Sequence, residues 1–174
     1  EGDSWQRERD GAARLRVTQN GGIYYCSGSM VNNTSLDCRQ LMLSAFHCAD
    51  SVGDDEWGYF KVRYNYEHLE CGGTTSVNSH TRTGVILLTS SDDVTSQGFS
   101  GSDFLLVEVE DPILESWNPF YAGWDATGTT GQSGVGIHHP SGDRKKISTY
   151  SSALINSSIG NVGSHWKVYW VSTE

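Results

Sequence analysis

The sequence predicts an all-β protein. Twenty Gly, only 3 Pro, 6 Trp and 8 Tyr, spread among many short β-branched runs, suit strands and turns better than a helical bundle. Residues 12–18 alternate Leu15 and Val17 with Arg14 and Arg16, the period of a strand with one wet face. Asn20-Gly21-Gly22 is a hairpin signal, and residues 22–30 form the returning strand.

The remaining elements follow in order. Asn32, Asn33, Thr34 and Ser35 make a polar loop before a short apolar strand at 40–44, and residues 45–51 make one helical turn that holds His47 at the strand's end. Gly53-Asp54-Asp55-Glu56 reads as a solvated turn without the spaced ligands of a calcium loop. In the strand at 57–66, Phe60, Val62, Tyr64 and Tyr66 alternate with Tyr59, Lys61, Arg63 and Asn65. A strand at 83–89 leads into a solvated loop at 90–100 that holds Asp92 and Asp93, then into a largely apolar strand at 103–110. Asp111 to Pro119 is a linker bracketed by prolines. Strands at 120–124, 134–138, 145–150 and 165–171 begin a second unit.

A formal charge of −9 argues against a nucleic-acid surface, which needs clustered cations. The acidity is uneven: residues 1–119 carry 8 Lys/Arg against 18 Asp/Glu, and residues 120–174 carry 4 against 3. No run approaches the roughly 18 apolar residues of a membrane span, and no basic start precedes an apolar run, so the chain reads as already processed. Four cysteines allow three pairings, or four free thiols, and none has metal-type Cys-x-x-Cys spacing. His138 and His139, adjacent on a strand, point to opposite faces and chelate poorly. Asn32, Asn33 and Asn156 each begin an Asn-x-Ser/Thr match.

Two segments carry the chemistry. Cys26-Ser27-Gly28-Ser29-Met30-Val31-Asn32-Asn33 is followed by Leu43-Ser44-Ala45-Phe46-His47-Cys48, which resembles the histidine region of trypsin-like secreted serine endopeptidases, most closely the bacterial lysyl endopeptidase-like branch. Gly101 to Glu108 resembles the strand bearing that family's aspartate, and Tyr121-Ala122-Gly123-Trp124-Asp125 and Gly136-Ile137-His138-His139-Pro140 resemble its later signposts. The resemblance implies a double six-stranded β-barrel, with the first barrel complete in residues 1–110, a linker at 111–119 and a truncated second barrel in 120–174. It implies a Cys26–Cys48 bridge, which leaves Cys38 with Cys71, and an oxidising, extracellular compartment.

It also implies catalytic roles. His47 is the general base and later the general acid, and Asp103 orients its ring; an aspartate heading an apolar strand is costly to desolvate without a partner. Gly131-Gln132-Ser133-Gly134 imitates a nucleophile turn, but it lies only 30 residues after Asp103 and ahead of the His-His-Pro signpost, so a Gly-rich hairpin is expected there. The nucleophilic serine, the oxyanion amides and the floor of the specificity pocket are expected beyond Glu174. Ile159 or its neighbours stand where lysyl endopeptidase-like sequences carry a Trp. The expected partners are a polypeptide substrate and the remainder of the second barrel, with no cofactor and no metal required, and no nucleic acid or membrane. The rival readings are a non-catalytic protease-fold binding module and a carbohydrate-binding β-protein, the latter suggested by the Trp and Tyr content.

Overall fold

Alternation along the early strands becomes a barrel in the computed structural model, which describes residues 2–91, 94–95, 98–99, 101–159 and 162–173. Strands β1 (Ala12–Gln19) and β2 (Gly22–Val31) pair antiparallel through a two-residue turn. Both turn residues, Asn20 and Gly21, have positive φ (50° and 72°), as a twist-matched tight hairpin requires. β3 (Leu41–Ala45), β4 (Lys61–Tyr64), β5 (His80–Thr83) and β6 (Val85–Ser90) follow, then the two-residue strands β7 (Val94–Thr95) and β8 (Gly98–Phe99), and β9 (Phe104–Val109). Asp92 and Asp93 lie outside the described residues.

The main sheet has seven strands in the order β5-β4-β1-β2-β3-β9-β6. Its two edge strands, β5 and β6, are consecutive in the chain with Gly84 alone between them. The 80–90 segment is therefore one bent strand that joins the two edges of the sheet and curls it into a barrel. Gly84 makes the seam: its N–H donates to Phe60 (2.9 Å), its carbonyl accepts from Glu110 (3.2 Å), and its φ is +90°. The strand at 57–66 is shorter than its alternation predicts, because Trp57–Tyr59 coils into a 3-10 turn.

Inward-facing residues supply the core. Leu15, Val17, Met30, Met42, Phe60, Val62, Tyr64, Val85, Leu105, Val107 and Val109 are all at most 2% exposed. Full burial of such side chains stabilises by roughly 1.5–3 kcal/mol each. β9 alternates, with Leu105, Val107 and Val109 inside and Phe104, Leu106 and Glu108 half-buried, so it is less continuously buried than its composition suggests. A 3-10 turn (Gly2–Trp5) and helix α1 (Gln6–Gly11) precede β1; at six residues, α1 is too short for a helical period to register in the sequence.

The segment after β9 crosses the barrel. Its 3-10 turn (Glu115–Trp117) stacks Trp117 on His80, 4.4 Å apart, and Asn118 donates to buried Asp10 at 2.6 Å. Residues 120–124 form no strand. Ala122 instead makes a single parallel bridge to Val31, with bonds of 2.9 and 3.0 Å to Met30 and Asn32. β10 (Gly134–His138), β11 (Lys146–Tyr150) and β14 (Ser172–Thr173) form a three-stranded sheet, and β12 (Ile155–Ile159) pairs with β13 (Val162–Lys167). These two small sheets and the segment after them leave Ile155, Trp166, Tyr169, Trp170 and Val171 exposed. Lys145, just before β11, ties this part to the rest of the chain: its Nζ forms a buried pair with Glu67 at 3.1 Å and donates to the Arg9 carbonyl at 2.7 Å.

Candidate active site

Strand register delivers the two candidate catalytic residues to one point. β3 pairs with β9 so that Ala45 faces Phe104, and one step further Phe46 N–H donates to the Asp103 carbonyl at 3.0 Å. The chain then turns through the 3-10 segment Phe46–Cys48. Asp103 uses both carboxylate oxygens on His47: Oδ1 accepts the backbone N–H at 2.8 Å, and Oδ2 lies 2.7 Å from Nδ1. With Nδ1–H donated to the carboxylate, Nε2 is the basic nitrogen. The His47 side chain is 49% exposed and that of Asp103 15%, so the ring faces solvent while its orienting group is shielded.

A second restraint acts from the other side. Cys48, buried next to His47, is bridged to Cys26 on β2 with a Cα–Cα distance of 6.2 Å. Ser44 Oγ donates to the Ser27 carbonyl (2.8 Å), and Ser27 Oγ accepts from His139 N–H (2.8 Å), tying the histidine strand to the loop after β10. His139 is 3% exposed, and its Nδ1 donates to the Asp143 carbonyl at 2.9 Å. Burial pushes its pKa down to about 4, and the nearby cations Lys145 and Arg14 act in the same direction. This histidine is a packing element inside the protein.

The Cys38–Cys71 bridge is not formed. Cys38 is an exposed thiol in the loop before β3, near Tyr121, whereas Cys71 lies in the turn after β4, beside Trp5 and Glu67. Ser133 is exposed at the entrance to β10. Gly53 N–H donates to Glu56 Oε2 at 2.9 Å, a turn closed on its own carboxylate. Trp57 and Trp117 pack against the barrel core, and Trp170 meets Tyr150 at 75°, so these rings do not make the coplanar row a sugar-stacking face needs.

Sequence reasoning missed Ser27, and it missed three arginines that surround Tyr66. Alternation along β1 puts Arg14 on a wet face, yet it is half-buried, with its Nη1 donating to the Gly142 carbonyl at 2.8 Å. No local pattern signals these residues, since their partners lie on distant strands and loops.

A barrel with a histidine turn and an aspartate strand meeting at its lip defines the trypsin-like fold, in a protease-family protein. The chain belongs to the family described as lysyl endopeptidase, C-terminal domain, whose model matches residues 1–174. It is 29% identical over 153 residues to a lysyl endopeptidase of Pseudomonas aeruginosa, a match covering 87% of this chain and 31% of that protein. The chain thus spans about a third of the length of this curated relative. A crystal structure of Deg5 shares the fold with a TM-score of 0.53 at 15% identity, over 96% of this chain and 70% of that one.

Proposed function

We propose that the parent molecule is a secreted serine endopeptidase in which His47 is general base and general acid, Asp103 orients it, and the serine nucleophile comes from outside these 174 residues. In this reading residues 1–110 are the first barrel, 111–119 the crossing segment and 120–174 the opening part of the second. The observation that carries it is the two-pronged grip of Asp103 on His47, at 2.8 Å to the backbone and 2.7 Å to the ring.

The chemistry follows from that grip. A serine hydroxyl is a weak nucleophile at neutral pH, and Nε2 of His47 takes its proton as attack proceeds. The imidazolium formed is stabilised by Asp103 and then protonates the leaving amine. The Cys26–Cys48 disulfide supports an oxidising, extracellular setting. The substrate is polypeptide, and the relative's name makes lysine the first residue to try at the cleavage site.

A fluorophosphonate probe on the full-length protein tests this. One adduct per molecule on a single serine, lost on His47→Ala, is expected. No adduct on a folded protein would sink the peptidase reading and favour a protease-fold binding module.

A further inference from the structure

Three arginines from separate stretches of chain converge on one ring. The guanidinium carbons of Arg14, Arg63 and Arg144 lie 4.1, 4.1 and 4.2 Å from the Tyr66 centroid, and Arg14 also covers Tyr25 at 4.7 Å. A ring has two faces, so at least two of these cations share one. Arg14 and Arg63 also stand directly opposite each other in the β1–β4 register, an arrangement of like charges that weakens a sheet.

Among the described residues these charges lack counter-ions. None of the ion pairs among the described residues involves Arg14, Arg63 or Arg144, although the chain has 21 acidic residues against 12 basic ones. Their hydrogen bonds go to neutral acceptors: the Gly142 carbonyl, Ser79 Oγ and the Glu67 carbonyl. Arg14 Nε is buried with no acceptor among the described residues, a costly state for a charged donor. Burial, then the neighbouring Arg14 and Arg144 charges, hold the Arg63 guanidinium below its ordinary pKa. The face of Tyr66 offsets part of one cation's desolvation and cannot neutralise three.

We infer that Arg14, Arg63 and Arg144 form an oxyanion-binding site around Tyr66, suited to a carboxylate or to a sulfate- or phosphate-type group. Guanidinium forks match such groups with paired N–H donors. One side of the site, Tyr25, is tethered to the histidine turn: Tyr25 adjoins Cys26, and with 3.8 Å per residue the Cα atoms of Tyr25 and His47 are at most about 14 Å apart. It stands whether or not the molecule is a peptidase.

Calorimetric titration of the full-length protein tests it, in phosphate-free buffer at constant ionic strength with chloride as the filler. The two probes are sodium sulfate and N-acetyl-aspartyl amide. Saturable one-to-one binding is expected, weakened about tenfold or more by Arg144→Gln and by Arg63→Gln, each removing a charge-assisted donor pair. Tighter binding of sulfate identifies a free tetrahedral anion as the natural occupant, and tighter binding of the aspartyl probe a peptide carboxylate. Unchanged near-ultraviolet circular dichroism identifies variants that keep the fold. Arg144 lies in the loop between β10 and β11, so its replacement disturbs no strand pairing. Absence of saturable binding by the wild type, or equal affinity in the wild type and both folded variants, overturns the proposal.

Discussion

Acid should destabilise this protein through one buried imidazole. His139 is enclosed, its Nδ1–H is committed to Asp143, and its Nε2 has no partner among the described residues. An added proton would therefore sit on a desolvated nitrogen facing nearby cations. The ring protonates near pH 6.5 in the unfolded chain and near pH 4 in the folded one. Between those values the unfolded state binds more protons, so stability rises with pH. The contribution is fully present above about pH 6.5 and is lost as pH falls to about 4. At roughly 1.4 kcal/mol per pKa unit the whole effect is about 3 kcal/mol, of which about 2 kcal/mol is already lost at pH 5. That is a large share of the roughly 5–15 kcal/mol by which a domain is stable. His139→Asn keeps an N–H near the Nδ1 position and does not titrate. Urea unfolding of both proteins at pH 7.5 and pH 5 should show the wild type losing about 2 kcal/mol more than the variant. Equal losses would refute the assignment of the acid sensitivity to this ring.

Three further perturbations probe the seam, the bridge and the site. Gly84→Ala forces a side chain onto a φ of +90° and 2.8 Å from Glu110 Oε2; Glu110 can swing away, so backbone strain dominates, at about 1–3 kcal/mol. An unchanged melting temperature would show that the barrel does not depend on this closure. Replacing Cys26 and Cys48 by Ala opens a loop with a sequence separation of 22 and should cost about 3 kcal/mol, read as a lower urea midpoint. On the proposed function, Asp103→Asn should lower kcat of the full-length protein by about 10⁴, since the amide cannot accept from both His47 donors. A fall below tenfold would remove Asp103 from the mechanism.

The parts legible in the sequence are those with short-range signals. The hairpin at Asn20 and Gly21 and the inward set of β1 follow from turn chemistry and period-two alternation acting within a few residues, whereas the apolar run of β9 conceals its alternation. β5 and β12 were invisible because His80–Thr83 and Ile155–Ile159 are mostly polar; their pairing to β4 and β13 makes them strands. For the same reason residues 120–124 failed as a strand: their apolar residues meet the end of β2 through one bridge and find no partner to extend a ladder. His47 and Asp103 were legible only as motifs. Their meeting depends on the β3–β9 register, which no local pattern contains.

The restraints at His47 act on different degrees of freedom, so neither duplicates the other. The disulfide fixes the backbone one residue beyond the histidine but leaves its ring free to rotate. The Asp103 carboxylate fixes the ring, and to do so Asp103 adopts φ +53°, a sparsely populated region for a residue with a side chain. That conformation turns the carboxylate back under the histidine while the Asp103 carbonyl still accepts from Phe46. Three hydrogen bonds from two consecutive residues offset a backbone cost of roughly 1–3 kcal/mol, and the aspartate is held where the ring needs it before any substrate arrives.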